Sequence, residues 1–197
     1  MDKSTVCVFG DSITWGSHDP KRGGWATQLR NYFESEEEYV KVYPLGITGN
    51  TSGDILERFD VEAASRQPTM VIFAIGTNDS QYINSKDTPR VPLPKFKENL
   101  LALTEKAKKY TPAIIFVGLT GVDESRTMPV SWSTTKYYDN DNLSKYNAVI
   151  QEIAAKNGFQ FIDVSGILKN DELKDGLHPN SVGHKKLFKK IRGDLSL

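Results

Sequence analysis

Five short apolar runs recur along the chain, and each is bounded by turn-forming residues such as glycine, proline, asparagine or aspartate. Runs of this length without regular polar alternation are typical of strands that are buried on both faces of a sheet. We therefore predict five strands, at Thr5 to Phe9, Val40 to Leu45, Met70 to Ile75, Ala113 to Leu119 and Phe159 to Asp163.

Helical patterns fill the segments between these runs. Apolar residues recur at helical spacing from Pro94 to Tyr110, again after Asn142, and over Asp54 to Phe59 and Ser181 to Ile191. Strands that alternate with helices favour a parallel sheet with crossover connections, which indicates a three-layer α/β/α fold. The 197 residues show no internal repeat or linker, so we predict one domain over residues 1–197.

Two segments, 80–93 and 121–141, are too rich in polar, proline and aromatic residues to predict regular structure. Both follow predicted strands, and connections at the carboxyl ends of strands form the binding crevice of an open α/β sheet. We therefore expect them to form the rim of a pocket. Their aromatic residues stack on a sugar, line an acyl channel or pack the loops down, and the sequence leaves these alternatives open for Tyr82, Trp132, Tyr137 and Tyr138.

The charge of the chain narrows the choice of partner. Lysine plus arginine and aspartate plus glutamate number 25 each, so the net field attracts neither nucleic acid nor an anionic membrane surface. A small, roughly neutral substrate is favoured, and we expect no nucleic-acid partner.

Several features favour a cytoplasmic location. No apolar stretch approaches the ~20 residues that span a bilayer, so we expect no stable membrane insertion. Met1 to Ser4 carry no signal-peptide pattern. The single cysteine, Cys7, lies in an apolar run, where a buried thiol behaves as a small hydrophobe, and it leaves no partner for a disulfide within the chain.

The first candidate for chemistry is the heptapeptide Gly10-Asp11-Ser12-Ile13-Thr14-Trp15-Gly16, at the end of the first predicted strand. A serine at this position lies at the mouth of the sheet, and glycines allow a sharp turn and a close approach to a ligand. Serine and aspartate are also common helix-capping residues, so the heptapeptide alone leaves a purely structural role open.

The second candidate is the segment Asp175 to Asn180, near the carboxyl terminus. An aspartate and a histidine three residues apart can point the same way, so Asp175 can bind the Nδ1–H of His178 and leave Nε2 facing a nucleophile. The other two histidines have less favourable settings. His18 lies in a charged loop where we expect solvation, and His184 lies among lysines in the last helix, where a surface role is expected.

Two further motifs supply candidate hydrogen-bond donors. Asn78, in Gly76-Thr77-Asn78-Asp79 at the end of the third predicted strand, either donates to an oxyanion or closes a turn. The glycine-rich loop from Gly46 to Gly53 can donate a backbone N–H to the same oxyanion. Its spacing matches neither the Walker A pattern nor Gly-x-Gly-x-x-Gly, which argues against nucleotide binding.

These four blocks, in this order, resemble the SGNH hydrolases, also called the GDSL lipase and esterase family, and they extend from residue 10 to residue 180. The resemblance implies a flavodoxin-like parallel sheet, with Ser12 as nucleophile, His178 as general base and Asp175 orienting that base. It also implies an oxyanion hole formed by the backbone N–H groups of Ser12 and Gly49 and the side-chain amide of Asn78. Ile13 replaces the leucine of Gly-Asp-Ser-Leu, a swap that keeps the apolar character and is frequent in the compact bacterial lysophospholipase-like branch.

The resemblance implies hydrolysis of a small-molecule carboxylic ester through an acyl-enzyme, with short- to medium-chain or lysophospholipid-type acyl groups, or thioesters, as substrates. The alternatives are a carbohydrate O-acetyl esterase and a non-catalytic, ligand-binding flavodoxin-like domain. No metal or organic cofactor is expected. Asp139 to Asn142 resemble the start of a calcium loop, but Ser144 stands where that loop needs glycine, so we expect a polar segment before the next helix.

Overall fold

The computed structural model describes residues 4–35 and 39–195. Its strands, in chain order, are β1 Thr5–Gly10, β2 Lys41–Gly46, β3 Met70–Ala74, β4 Tyr82–Ile83, β5 Ile114–Val117, β6 Lys136–Tyr137 and β7 Gln160–Ile162. Its α-helices are α1 Ser12–Trp15, α2 Gly24–Ser35, α3 Ser52–Arg66, α4 Thr77–Ser80, α5 Leu93–Ala107, α6 Glu124–Thr127, α7 Asn140–Asn157 and α8 Ser181–Asp194. A short 3₁₀ helix covers Asn170–Glu172.

The central sheet is parallel and has the strand order β2-β1-β3-β5-β7. After β1 the chain moves to one edge, and after β3 it builds toward the other, so the order reverses between these two neighbouring strands. In open α/β sheets, ligands bind beyond the carboxyl ends of the strands at this reversal. The heptapeptide that follows β1 and the Asn78 motif that follows β3 therefore meet at one crevice.

Helices cover both faces of the sheet because each buried strand alternates its side chains between two apolar cores. Helices α3, α5 and α7 lie on one face, and α2 and α8 lie on the other. Cys7 and Phe9 of β1 point into the first core, and Val6 and Val8 point into the second. The predicted three-layer α/β/α fold is confirmed.

The ends of the helix α7 show how local sequence sets an element. Asp139 caps its first turn, with a side chain that accepts the N–H of Asn142 at 2.6 Å. The helix ends at Gly158, whose φ of +68° is a left-handed conformation that favours glycine. The polar run Asp139 to Asn142 therefore forms the cap and first turn of α7, so the expected polar segment lies largely within the helix and not before it.

The five predicted strands are present with ends shifted by up to two residues, and the four predicted helices are present with longer bounds for three of them. The helix α2 was missing from the prediction. The two segments expected to be irregular contain a small antiparallel sheet in which β4 pairs with β6. Cys7 is fully buried, as predicted, and burial raises the pKa of its thiol to about 12.

Within the described ranges, none of the helices has the length and apolar character required to cross a membrane. The prediction that the amino terminus lacks a signal-peptide pattern concerns mainly residues 1–3, which lie outside the described residues.

Candidate active site

Ser12 is the first residue of α1, a single helical turn that begins where β1 ends. The side chain of Asp11 caps this turn by accepting the N–H of Ile13 at 2.9 Å. The turn packs so tightly on the strand that a Cβ on Gly10 would lie 2.1 Å from Thr14 Oγ1. Because the first N–H groups of a helix have no partner within it, the backbone N–H of Ser12 is placed to donate elsewhere.

The structure brings together the three side chains that the sequence proposed as a unit. Ser12 Oγ lies 3.0 Å from His178 Nε2, although the two residues are 166 positions apart. On the other side of the ring, His178 Nδ1 lies 2.8 Å from Asp175 Oδ2. The imidazole thus bridges a hydroxyl and a carboxylate, which is the arrangement needed to pass a proton from Ser12 to Nε2 while Nδ1 stays protonated.

A tight turn holds Asp175 and His178 in this relation. Asp175 Oδ1 accepts the backbone N–H groups of Leu177, at 3.0 Å, and of His178, at 2.8 Å. The turn passes through Gly176 at a φ of +92°, where a Cβ would lie 2.8 Å from Arg126 Cβ. One carboxylate oxygen therefore fixes the turn, and the other orients the imidazole.

The electrostatics favour an ionised Asp175. Burial alone would raise the pKa of this carboxyl. This effect is outweighed by hydrogen bonds from the side chain and backbone of His178, by the positive charge of His178 and by the hydrogen bond from the N–H of Leu177. The net result is a pKa well below the ordinary value. Asp175 therefore stays a carboxylate at neutral pH and can stabilise positive charge on His178.

The two other histidines depart from the sequence expectations in different ways. His18 is exposed, as expected, but its Nε2 lies 3.2 Å from Asp175 Oδ2 and its ring centroid lies 5.4 Å from that of His178. The expectation of a surface role for His184 is wrong, because its side chain is fully buried and its Nε2 lies 2.9 Å from the carbonyl oxygen of Ser17. Burial lowers the pKa of His184, which keeps the ring neutral. Its spacing of three and seven residues from Leu187 and Ile191, which face the core, is the sequence signal that would have placed it there.

Asn78 belongs to α4, the single turn that follows β3, and its side chain is buried. Its Nδ2 donates to the carbonyl oxygen of Asn50 at 3.0 Å, which ties the Asn78 motif to the glycine-rich loop. Gly49 precedes Asn50 and has a φ of +81°, with no atom within 4 Å of the position of an added Cβ. The two remaining predicted donors thus belong to segments that contact each other directly.

A second link fastens the same two segments. The buried carboxylate of Asp79 accepts the N–H of Ser52 through both oxygens, at 3.0 and 3.1 Å, and also its hydroxyl. Ser52 Oγ in turn accepts from Asn99 Nδ2 at 2.9 Å. Burial raises the pKa of Asp79 to about 6, although its hydrogen bonds from Ser52 oppose the shift.

Sequence reasoning missed several residues that hold the site together. Arg58 Nε donates to Asn50 Oδ1 at 2.9 Å, and its Nη2 donates to Leu45 O at 2.8 Å, so it braces the glycine-rich loop. Arg126 Nη2 donates at 2.8 Å to two backbone carbonyls before the Asp175 turn. Neither arginine lies in a motif, and their partners are mostly backbone atoms, which leave no trace in a residue pattern.

The aromatic residues of the rim separate into different environments. Trp132 is 49% exposed, and its ring centroid lies 5.9 Å from that of His178. Tyr138 is buried, and Tyr82 pairs with Tyr137 in the small antiparallel sheet. Trp132 is therefore the rim aromatic placed to contact a substrate at His178.

The described residues also contain one grouping of three potential metal ligands. It consists of His18, Asp175 and His178, whose ligand atoms all lie within 4.8 Å of one another. Two of its members already belong to the Ser12 site. Any ion bound there would compete with the contact between Asp175 and His178.

Comparison with known proteins gives a consistent result. The model of the GDSL-like lipase/acylhydrolase family matches residues 8–186. The isoamyl acetate-hydrolyzing esterase of Schizosaccharomyces pombe is 26% identical over 197 residues, which cover 97% of this chain and 74% of that protein. The uncharacterized lipoprotein YqeF of Bacillus subtilis is 31% identical over 110 residues, but these cover only 53% of this chain and 44% of the lipoprotein.

The fold has close counterparts among solved structures. The acetylxylan esterase Axe2 of Geobacillus stearothermophilus superposes with a TM-score of 0.77, and the match covers 98% of this chain and 94% of that one. The two sequences are 20% identical, so this likeness bears on the fold.

Proposed function

The chain belongs to the GDSL-like lipase/acylhydrolase family, and from that premise we propose that Ser12, His178 and Asp175 carry out its chemistry. The protein is a carboxylic ester hydrolase that acts on a small-molecule ester. The observation that carries the assignment of residues is the unbroken chain from Ser12 Oγ through His178 to Asp175, at 3.0 and 2.8 Å.

In the first half of the reaction, His178 Nε2 takes the proton of the Ser12 hydroxyl as Oγ forms a bond to the carbonyl carbon of the ester. The resulting tetrahedral intermediate carries its negative charge on the former carbonyl oxygen. His178 then gives the proton to the leaving alcohol oxygen as the carbon–oxygen bond breaks. Asp175 holds Nδ1–H in place and stabilises the imidazolium that exists between the two transfers.

The second half repeats these steps with water. His178 takes a proton from water as its oxygen attacks the acyl carbon, and the proton then passes to Ser12 Oγ as the acyl–enzyme bond breaks. A carboxylic acid is released and the free serine is restored. In both halves we assign the oxyanion to the backbone N–H groups of Ser12 and Gly49 and to Asn78 Nδ2.

Labelling with a fluorophosphonate tests the assignment, because such probes modify a serine only beside a positioned base. We expect one probe per chain, located on Ser12 by peptide mass spectrometry and absent in Ser12→Ala. His178→Ala should abolish labelling and hydrolysis. His184→Ala is the matched control, because it removes a buried histidine of the neighbouring helix without touching Ser12. Labelling that persists in Ser12→Ala would place the nucleophile elsewhere.

We propose a short- to medium-chain acyl group, with lysophospholipid-type esters and thioesters as the wider range. The relative from Schizosaccharomyces pombe, which aligns with 97% of this chain, is named for hydrolysing an acetate ester, and this supports the short end. A series of p-nitrophenyl esters from acetate to palmitate measures the preference. The highest kcat/KM on palmitate would contradict it.

A sugar acetate is the second candidate substrate, and the position of Trp132 favours it. Since His178 returns its proton to the leaving alcohol, that alcohol must lie beside His178 and hence beside the exposed indole. The flat face of a sugar ring can stack on such an indole. Axe2, which shares this fold, is named an acetylxylan esterase. Trp132→Ala should raise KM for acetylated xylo-oligosaccharides by about tenfold and leave isoamyl acetate nearly unaffected. Equal changes for both substrates would exclude a sugar subsite on this residue.

We further propose that residues 1–197 form one domain in the cytoplasm with no nucleic-acid partner. Both apolar cores share the same central sheet, which supports one domain. The equal numbers of acidic and basic residues support the absence of a nucleic-acid partner. The single buried cysteine supports the cytoplasmic location. Electrophoretic mobility shift with DNA and RNA, together with cell fractionation, tests them.

A further inference from the structure

Asn78 takes part in a chain of buried hydrogen bonds that continues away from Ser12. Tyr138 donates its hydroxyl to Asn78 Oδ1 at 3.1 Å, and that hydroxyl accepts from Gln81 Nε2 at 2.6 Å. At the other end, Asn78 Nδ2 donates to the carbonyl oxygen of Asn50. Each of these three side chains is at most 6% exposed, so water has little access to the chain.

The order of donors and acceptors fixes which way the Asn78 amide faces. A backbone carbonyl can only accept, so Asn50 O requires the NH₂ group of Asn78 on its side. The amide oxygen must then face Tyr138, whose single hydroxyl hydrogen satisfies it, and the phenol oxygen is left to accept from Gln81. Reversing the amide would set its oxygen against Asn50 O and its NH₂ against a hydroxyl. The chain therefore selects one orientation.

In this orientation, one hydrogen of Nδ2 is used by Asn50, and the second has no partner among the described residues. An oxyanion hole depends on donors that are already aimed before charge develops, because reorganising them would consume the stabilisation they provide. The terminal torsion of an asparagine side chain is broad and roughly two-fold, so the bond from Nδ2 to Asn50 O leaves the amide room to swing unless its oxygen is also held. Tyr138 is the side chain that holds it.

We propose that Tyr138 is a positioning residue of the ester hydrolase, which locks the Asn78 amide so that its free N–H faces the oxyanion. This inference rests on the proposed function, which places Asn78 in the oxyanion hole. It assigns a role to a residue of segment 121–141 that does not itself touch the substrate.

The surroundings of Tyr138 suit this role. Its backbone is held on both sides by Thr127, because Tyr138 N donates to Thr127 O at 3.0 Å and Thr127 Oγ1 donates to Tyr138 O at 2.8 Å. Burial raises the pKa of its phenol well above the usual range, and the negative charge of Asp11 adds to this effect. The hydroxyl thus keeps its hydrogen, and remains a donor, over the whole working range of a histidine base.

The test compares two buried tyrosines. Tyr138→Phe removes the hydroxyl that holds Asn78, and the control Tyr146→Phe removes a hydroxyl that donates to the carbonyl oxygen of Val91. We expect Tyr138→Phe to lower kcat on p-nitrophenyl acetate about tenfold, the value of one neutral hydrogen bond, with KM within twofold. Fluorophosphonate labelling should slow by a similar factor. Tyr146→Phe should change thermal stability only.

Placing each variant in an Asn78→Ala background separates positioning from general loosening of the core. If Tyr138 acts through Asn78, then Tyr138→Phe causes no further loss of kcat once that amide is gone. A tenfold loss in both backgrounds, or an equal loss in Tyr146→Phe, would overturn the proposal while leaving the proposed function intact. Normal kcat in Asn78→Ala alone would remove Asn78 from the oxyanion hole, and both assignments would fall together.

A second variant covers the case in which Tyr138→Phe does not fold. Gln81→Met keeps the phenol ring and removes the donor that turns its hydroxyl toward Asn78. We expect kcat to fall a few-fold in the wild-type background and to stay unchanged in the Asn78→Ala background. An unchanged kcat in both backgrounds would overturn the proposal.

Discussion

The replacement of Asp175 by asparagine changes the shape of the side chain little, but it moves the imidazole proton of His178 from Nδ1 to Nε2. The two oxygens of Asp175 have separate partners, because Oδ1 accepts two backbone N–H groups of the turn and Oδ2 contacts His178 Nδ1. An asparagine has one oxygen and one NH₂ group to fill the same positions. Since both backbone partners can only donate, the oxygen must take their side. The NH₂ group is then forced against His178 Nδ1.

An NH₂ group in that position requires His178 Nδ1 to be unprotonated, so that it can accept a hydrogen bond. The imidazole proton must then sit on Nε2, where it points at Ser12 Oγ across 3.0 Å and blocks proton transfer from the serine. In serine proteases that use the same three groups, this exchange lowers turnover about 10⁴-fold. We expect a comparable loss for Asp175→Asn, equal to roughly 5 kcal/mol of transition-state stabilisation.

The assay is the steady-state hydrolysis of p-nitrophenyl acetate, with thermal unfolding measured on the same samples. Asp171→Asn is the control, because it makes the same exchange at an exposed position of the same segment. Nitrogen-15 NMR of the imidazole should show the proton on Nδ1 in the wild-type protein and on Nε2 in Asp175→Asn. Turnover within tenfold of wild type, or a full loss of turnover with the proton still on Nδ1, would refute the tautomer argument.

Three other predictions follow from the geometry of the site. Gly49→Ala and the remote Gly166→Ala both place a side chain in open space at a positive φ, so each should lose about 1 to 2 kcal/mol of stability, but only Gly49→Ala should lower kcat. Equal kcat values in a parallel assay would contradict the expected displacement of the Gly49 amide from the oxyanion hole. Because burial raises the pKa of Asp79 from 3.8 to about 6, its stabilising contribution is fully present below pH 4 and is lost as the pH rises through 6. Urea unfolding at several pH values should therefore show the wild-type protein losing up to about 3 kcal/mol relative to Asp79→Asn over that range, and parallel curves would contradict this. Zn²⁺ should inhibit hydrolysis reversibly by bridging His18 and Asp175. When inhibition is expressed relative to each protein's own metal-free activity, His18→Gln should need at least about tenfold more Zn²⁺ for the same inhibition. Equal inhibition of both proteins, measured by titration and reversal with a chelator, would exclude this site.

Much of the fold could be predicted because strands that are buried in a parallel sheet have continuous apolar sequences. The helix α2 could not be predicted because it has few buried side chains, Trp25, Ala26 and Leu29, and its other positions combine polar and apolar residues. The small sheet of β4 and β6 has only two residues in each strand, too few to show any periodicity. Its pairing depends on the approach of two distant segments, which no local pattern encodes.

The candidate site divides in the same way. Ser12, Asp175 and His178 could be proposed from the sequence because each lies in a short motif of chemically distinctive residues. A surface role was predicted for His184 because of the lysines around it, although its helical spacing from Leu187 places it on the buried face. Tyr138 was one of four equivalent rim aromatics in the sequence, and only the three-dimensional arrangement shows that it contacts Asn78.

The distance in sequence between Ser12 and His178 also bears on synthesis of the protein. The proposed nucleophile is made 166 positions before its proposed base. A nascent chain on the ribosome thus carries Ser12 without His178 until the segment before α8 has emerged, and under the proposed mechanism it cannot cleave esters before that point. For the same reason, a break in the exposed turn at residues 84–88 would leave the serine on one fragment and the histidine on the other. Ester cleavage by the mixed fragments would then report their association, with neither fragment active alone.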